Sequence, residues 1–238
     1  MANPLKRLVK RFVDDCVVPA YVYVGLRKPG PNVLDELERR TAAECADYAQ
    51  ANMASSLQFA KKGDLQKFAL GNAGNGLVCE FGVWKGESIN RIAALVSPRP
   101  VYGFDSFEGL REDWAGWEKT KGDFDLKGVM PAVAPNVKLI KGWFDSTLPG
   151  FLAAYPGAFS FVNFDCDTYE ACKSALQLVS PRIIPGTILV FDEYFGYRGW
   201  KLGEYKAWQE CVRESGLEYE YIAFSLQAVA VRVSKRRE

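Results

Sequence analysis

The sequence predicts an α/β fold in which a mostly parallel β-sheet is covered by helices on both faces. After residue 76, short β-branched and aromatic runs alternate with glycine-containing turns and helical segments. The runs are wholly apolar, which is typical of strands buried on both faces. Two runs near the end lie close enough to form a hairpin with an antiparallel strand. The predicted strands are residues 77–81, 100–104, 137–140, 159–164, 187–191, 218–224 and 228–233.

The segment before the sheet is predicted to be helical. Apolar residues recur at helical spacing over residues 32–62, which indicates one or two helices. A short helix over 65–70 then ends in a cluster of turn formers at 71–76. We therefore expect a helical extension over residues 1–70 and the main domain over 71–238.

Composition limits the classes of function. The chain has 238 residues, enough for one α/β domain with an extension. Its 30 Lys and Arg residues nearly balance 29 Asp and Glu residues, so a nucleic-acid partner is disfavoured. Six scattered cysteines with no CxxC pair and no leader sequence indicate reduced thiols in a cytoplasmic protein.

No transmembrane segment is expected. The apolar stretch over residues 17–26 is interrupted by Pro19 and Gly25 and is too short to span a bilayer. Basic residues such as Lys6 and Arg7 leave peripheral membrane contact open, but a basic helix end on the protein surface is the simpler interpretation.

The chain contains no histidine, which removes the usual general base, the Ser-His and Cys-His nucleophile pairs and most zinc sites. Acid–base or metal chemistry therefore depends on oxygen ligands.

The loop after the first strand is the first candidate for ligand binding, because ligands of open α/β sheets bind beyond the carboxyl ends of the strands. Gly82 allows the backbone to approach a ligand closely, and Val83, Trp84 and Ser88 follow it. The loop lacks the GxGxxG pattern that seats a pyrophosphate. An acidic Glu80 instead suits the cationic end of S-adenosylmethionine, although a glycine turn between strand and helix is also ordinary in structural terms.

The next two strand ends carry groups suited to adenosine. Asp105 and Ser106 follow the second strand, where a carboxylate can accept both ribose hydroxyls. After the third strand, Trp143 and Phe144 are expected to pack against adenine while Asp145 accepts its exocyclic amine. The alternative is that both aspartates only cap helices.

Carboxylates follow the fourth and fifth strands. If these strands are neighbours, Asp165, Asp192 and Glu193 converge on one small volume and repel one another. A divalent cation would neutralise them, and all-oxygen ligation favours Mg²⁺. Asp165 is then the best-placed base for an acceptor hydroxyl, and it is also counted among the expected cofactor-binding residues. In the alternative, Asp165 and Asp192 act as caps and Glu193 faces solvent.

Five motifs together resemble the macrocin O-methyltransferase family, a group of class I S-adenosylmethionine-dependent methyltransferases that act on antibiotic sugars and related glycans. The motifs are CEFGVWKG at 79–86, FDSFEGL at 104–110, KGWFDSTLP at 141–149, DCDTYE at 165–170 and DEY at 192–194. The resemblance implies a Rossmann-like sheet of seven strands, a Mg²⁺ requirement with ligands at Asp165, Asp192 and Glu193, and an N-terminal lid that forms homodimer contacts. Glu193 stands where a second aspartate is usual, and Cys166 replaces a small residue.

The expected reaction is metal-dependent methylation of a hydroxyl, with a sugar in a glycan or glycosylated natural product as the favoured acceptor. Aromatic residues in the segments 106–136 and 194–208 suit a sugar or a planar acceptor, but they equally suit packing of the loops on their own domain. A phenolic acceptor and a non-catalytic binding protein on the same fold are the alternatives. A nicotinamide-dependent oxidoreductase is disfavoured because GxGxxG is lacking.

Overall fold

The computed structural model describes residues 10, 12–17 and 32–237. The chain divides into two compact units, residues 1–40 and 41–238. The described part of the first unit contains a π-helical turn at Val13–Val17 and the start of helix α1. Most of the apolar stretch at 17–26, together with Lys6 and Arg7, lies outside the described residues. Among the helices that are described, none combines the length and apolar character needed to cross a bilayer.

The second unit alternates helices and strands, as the sequence predicts. The expected helical region at 32–62 contains one helix, α1, followed by a two-residue strand, and the helix expected at 65–70 begins earlier, at Lys62. Two short 3-10 helices cover Ser180–Arg182 and Trp200–Leu202. The α-helices are α1 Val33–Asn52, α2 Lys62–Gly71, α3 Glu87–Val96, α4 Phe144–Ala154, α5 Tyr169–Val179 and α6 Glu204–Ser215.

The strands form one mixed sheet in the order β1-β7-β8-β6-β5-β2-β3-β4. Strands β2 to β6 pair in parallel, and β8 runs antiparallel to both β6 and β7, which confirms the predicted hairpin. The described sheet has eight strands rather than seven, because β1 pairs in parallel with β7. The strands are β1 Leu57–Gln58, β2 Leu77–Phe81, β3 Val101–Asp105, β4 Val137–Lys141, β5 Phe159–Phe164, β6 Ile188–Phe191, β7 Leu217–Phe224 and β8 Val229–Arg236.

Apolar side chains fill both faces of the sheet. Helices α4, α5 and α6 cover one face, where Phe164 and Phe191 stack with ring centroids 5.0 Å apart. Helices α2 and α3 cover the other face through residues such as Leu65 and Ile89. Every residue of β5 is buried, as expected for a central strand with helices on both sides.

The order in which successive strands are added to the sheet reverses at β2, which lies between β3 and β5. The carboxyl ends of β2 and β5 touch there, backbone against backbone. Gly82 has a φ of +89°, and a Cβ on it would lie 1.7 Å from the carbonyl oxygen of Asp165. Only glycine fits at this position, and the contact fixes the spacing of the two loops that begin the candidate site.

Candidate active site

A cavity of about 660 Å³ opens at the carboxyl ends of the parallel strands. Its walls come from the loops that follow β2 to β6, which is the edge where ligands of open α/β sheets bind. The site residues predicted from the strand ends all line this cavity except Glu80. The structure thus brings the predicted adenosine-binding side chains and the predicted carboxylates into one space.

Asp105, the last residue of β3, braces the glycine loop. One carboxylate oxygen accepts the backbone N–H groups of Val83 and Trp84, each at 2.8 Å, and the other accepts that of Phe107 at 2.7 Å. Trp84 has a left-handed φ of 46°, an uncommon conformation for a non-glycine residue. Asp105 therefore fixes the shape of the loop, while its carboxylate still lines the cavity beside Ser106.

Glu80 lies behind this loop and is fully buried. Its Oε1 accepts hydrogen bonds from the Ser88 hydroxyl and from the Asn163 amide, the latter at 3.0 Å, and its Oε2 has no partner. Burial raises the pKa of Glu80 to about 8, against the effect of these two donors. A direct contact between Glu80 and a cationic cofactor group stays a prediction.

The predicted adenine-binding residues contact a side chain that sequence reasoning missed. The Arg111 guanidinium lies 4.1 Å from the centroid of the Trp143 ring and pairs with the Asp145 carboxylate at 2.9 Å. This ion pair lowers the pKa of the Asp145 carboxyl. Phe144 packs edge-on against Phe81, with centroids 5.4 Å apart. Arg111 thus uses the aromatic face and the acceptor that the sequence assigned to adenine.

Several carboxylates lie close together in the wall of the cavity. Asp165, Asp167 and Glu193 offer oxygen atoms that all lie within 4.8 Å of one another. We call these residues and the adjacent Asp192 the carboxylate group. Sequence reasoning missed Asp167, although it lies two residues after Asp165. Its left-handed φ of 64° belongs to a tight turn in which the Thr168 N–H donates to the Cys166 carbonyl at 2.6 Å.

Burial and mutual repulsion disfavour the charged forms of these side chains. Burial first, and then the charge of Asp192, raises the pKa of Asp165 and of Glu193 well above their usual range. The same causes raise the pKa of Asp167 to about 7. Such a group is stabilised either by protons or by a cation.

Lys62, the first residue of α2, brings a positive charge to these carboxylates. Its ammonium donates to Asp192 and, at 3.1 Å, to Glu193 Oε1. Burial opposes its charge, but the carboxylates of Glu193 and Asp192 outweigh that effect and raise the pKa of Lys62. Asp192 therefore pairs with Lys62, while Asp167 completes the close set of three. The sequence analysis did not identify Lys62, which lies at the end of the helical region predicted over 32–62 and before the helix predicted at 65–70.

Glu204 of α6 bonds to both loops that carry the carboxylate group, the loop after β5 and the loop after β6. Its buried carboxylate accepts the backbone N–H of Cys166 at 3.4 Å and that of Glu193 at 3.1 Å. Burial, followed by the charge of Asp192, raises the pKa of Glu204 to about 8. Through these bonds α6 sets the distance between the end of β5 and the end of β6.

The donor set fits a hard divalent cation. The close set consists of carboxylate oxygens alone, and Glu193 Oε2 is buried without a hydrogen-bond partner. Oxygen donors of this kind suit Mg²⁺ and similar ions. A second possible set, Cys166, Cys172 and Glu204, lies in the core, where Glu204 is already bonded to backbone N–H groups.

The aromatic residues divide between the cavity and the core. Trp84, Trp114 and Phe124 line the cavity, with Trp84 and Phe124 edge to face at 5.4 Å. In contrast, Phe195, Tyr197 and Trp200 are buried in the core. The segment 106–136 thus supplies aromatic cavity walls, and these three aromatic residues of segment 194–208 pack on their own domain.

Comparison with known proteins agrees with this arrangement. Residues 79–194 match the family model described as a methyltransferase domain. A curated relative is 8-demethyl-8-(2,3-dimethoxy-alpha-L-rhamnosyl)-tetracenomycin-C 4'-O-methyltransferase of Streptomyces olivaceus. It is 29% identical over an alignment of 144 residues, and the alignment covers 50% of this chain. The match spans about half of that relative's length, 53%.

Two solved structures share the fold. The calicheamicin methyltransferase CalS11 has a TM-score of 0.55 and 21% identity, over 86% of this chain and 94% of its own. The O-methyltransferase NovP has a TM-score of 0.51 and 21% identity, over 74% of this chain and 80% of its own. The chain therefore has the fold of these two methyltransferases. The match to the methyltransferase-domain model covers slightly less than half of the chain.

Proposed function

We propose that this protein transfers the methyl group of S-adenosylmethionine to a hydroxyl of a sugar in a glycan or glycosylated natural product. The observation that carries the proposal is a single cavity lined both by a braced glycine loop and by the carboxylate group. The relative from Streptomyces olivaceus, whose name describes a rhamnosyl O-methyltransferase, supports a sugar acceptor.

The cofactor is proposed to lie along the loops that follow β2, β3 and β4. Adenine would stack on Trp143 with its amine toward Asp145, and the ribose would face Asp105 and Ser106. The loop from Gly82 to Ser88 would then contact the cationic end. Because Asp105 holds the Val83 and Trp84 N–H groups in place, the loop needs little rearrangement when it binds its ligand.

A divalent cation, with Mg²⁺ the first candidate, is proposed to bind at Asp165, Asp192 and Glu193, with Asp167 beside them. When bound, such an ion supplies a Lewis acid that lowers the pKa of an acceptor hydroxyl. The crowding of these carboxylates and the unpartnered Glu193 Oε2 support this proposal.

Asp165 is proposed to accept the hydroxyl proton, since the chain has no histidine for that role. Asp167 is the second candidate, because it belongs to the same close set and lines the same cavity. Glu204 keeps both loops in register through the backbone N–H groups of Cys166 and Glu193.

The acceptor is proposed to bind against Trp84, Trp114 and Phe124, whose rings suit the apolar face of a sugar. A phenolic acceptor is the alternative, because a planar ring would stack on the same side chains. A homodimer, an N-terminal lid, a domain boundary near residue 70 and a cytoplasmic location stay predictions.

The proposal is tested by incubating the full chain with S-adenosylmethionine carrying a labelled methyl group and a panel of free sugars, nucleotide sugars, glycosylated natural products and phenols. We expect label in a sugar-containing acceptor, with loss of transfer in EDTA and recovery with Mg²⁺. Label in phenols alone would replace the sugar by the alternative acceptor. If calorimetry detects no cofactor binding with or without Mg²⁺, the chain is a non-catalytic relative.

A further inference from the structure

The Lys62 side chain lies in a position that its own helix disfavours. Lys62 begins α2, and the amino end of a helix carries a partial positive charge that repels cations. Its exposed neighbour Lys61 precedes the helix, whereas Lys62 turns into the cavity wall. The placement therefore depends on the carboxylates that surround the ammonium.

Its contacts are with two of the proposed metal ligands. The Lys62 ammonium donates to Asp192 and to Glu193 Oε1, at 3.1 Å for the latter. The other oxygen of the same Glu193 carboxylate is buried and without a partner, and Glu193 also belongs to the close set with Asp165 and Asp167. A divalent cation bound to that set would lie beside the ammonium, and charges of the same sign at such a distance repel strongly.

We infer that Lys62 and a divalent cation compete for the oxygens of Asp192 and Glu193, so that Lys62 sets the affinity of the carboxylate group for the cation. This inference rests on the proposed metal site. The Lys62 ammonium occupies one oxygen of Asp192 and one of Glu193, and a cation gains these oxygens when the ammonium withdraws. The Lys62 side chain is 34% exposed, so its path to water is open.

The competition explains a feature of the ligand geometry. The close set contains Asp165, Asp167 and Glu193, whereas Asp192 is paired with Lys62. When the ammonium withdraws, an oxygen of Asp192 becomes available as a further ligand for a cation bound to the close set. Lys62 is thus a positioning residue, because it acts through Asp192 and Glu193.

The test measures Mn²⁺ binding by the electron paramagnetic resonance signal of the free ion. Lys62→Met removes the charge and keeps the length of the side chain, and Lys61→Met is the matched control. We expect Lys62→Met to bind Mn²⁺ at least about tenfold more tightly than the unaltered chain, with Lys61→Met unchanged. Lys62→Gln serves as a second neutral variant, and Lys62→Arg, which retains the charge, should bind Mn²⁺ like the unaltered chain.

The outcomes separate the inference from the proposed function. If the unaltered chain binds Mn²⁺ and the neutral variants bind it equally or more weakly, Lys62 has only a structural role and the inference fails alone. The gain in affinity must disappear in Lys62→Met/Asp165→Asn, or it arises elsewhere. If no variant binds Mn²⁺ while labelled methyl transfer persists in EDTA, the inference and the metal site fail together, and the methyltransferase proposal stands.

Discussion

Arg111 stacks on Trp143 and pairs with Asp145, and both of those residues are proposed to hold adenine. An adenine bound there would need the same aromatic face and the same acceptor as the guanidinium, so the two would compete. We expect Arg111→Ala to tighten S-adenosylmethionine binding by about three- to tenfold, since exposed ion pairs and cation–π contacts are weak. Isothermal titration calorimetry measures this, with the exposed Arg213→Ala on α6 as the control. Weaker binding by Arg111→Ala would mean that Arg111 supports the base.

Asp165 is proposed to act as a cation ligand and as the proton acceptor. Neither role requires a bond between its carboxylate and the cofactor. Asp165→Asn keeps the size of the side chain but removes its charge and its basicity. We expect S-adenosylmethionine affinity to change by less than about threefold while turnover falls by about 10²–10⁴-fold. Asp47→Asn, at an exposed residue of α1, is the control. Turnover that survives in Asp165→Asn but not in Asp167→Asn would transfer the proton-acceptor role to Asp167.

Single residues also mark the limit of what the sequence predicts. The carboxylates that directly follow β5 and β6 were predicted correctly in position, because the end of an apolar run indicates the end of a strand. Asp167 was missed because its direction depends on a left-handed turn, which no pattern of residue types specifies. Lys62 and Arg111 come from other elements, and only the packing of the whole sheet brings them to the cavity.

At the scale of secondary structure, strands β2 to β8 were predicted within three residues at every boundary. Short apolar runs rich in β-branched and aromatic residues strongly favour buried strands. The two-residue β1 was missed, since so short a segment carries no periodicity. For Glu80, the strand was predicted correctly, but the direction of the side chain was not. Side chains alternate along β2, so Glu80 faces α3 together with Val78, while Phe81 faces the other layer.

The junction of β2 and β5 gives a prediction about elements. A Cβ on Gly82 would meet the Asp165 carbonyl oxygen at 1.7 Å, and its φ of +89° is strained for any side chain. We therefore expect Gly82→Ala to push the two strand ends apart, to lower the free energy of unfolding by more than ~2 kcal/mol and to abolish cofactor binding. Urea unfolding and calorimetry provide the two measurements.

Gly150→Ala is the matched control for that substitution. Gly150 lies inside α4, and a Cβ there meets no atom within 4 Å. Replacing a helical glycine by alanine should leave stability unchanged or raise it by about 0.5–1 kcal/mol. Equal behaviour of the two variants would show that the close approach of β2 and β5 is dispensable.

For the molecule as a whole, the β-sheet both forms the apolar core and positions the acidic groups of the candidate site. The sheet buries apolar side chains on both faces, and its carboxyl edge collects acidic groups that β5, β6 and α6 hold in place. Burial of Glu80 and Glu204 beneath that edge raises the pKa of each to about 8. Folding at neutral pH therefore retains protons that an unfolded chain would release.

This retention fixes how stability changes with pH. The pKa of Glu80 rises from 4.5 to about 8 on folding, so the folded state binds more protons than the unfolded state between those values. Stability from this group is therefore fully present below about pH 4.5 and is lost as the pH rises toward 8. In Glu80→Gln the side chain stays neutral, and its carbonyl can still accept the bonds from Ser88 and Asn163.

We expect the difference in the free energy of unfolding between pH 5 and pH 8.5 to shrink in Glu80→Gln by on the order of a few kcal/mol. Urea unfolding at several pH values measures it, with the exposed Glu214→Gln on α6 as the control that keeps the original slope. If Glu80→Gln and the unaltered chain have parallel pH profiles, Glu80 is charged in the folded protein. Its negative charge would then be stabilised by groups around the glycine loop.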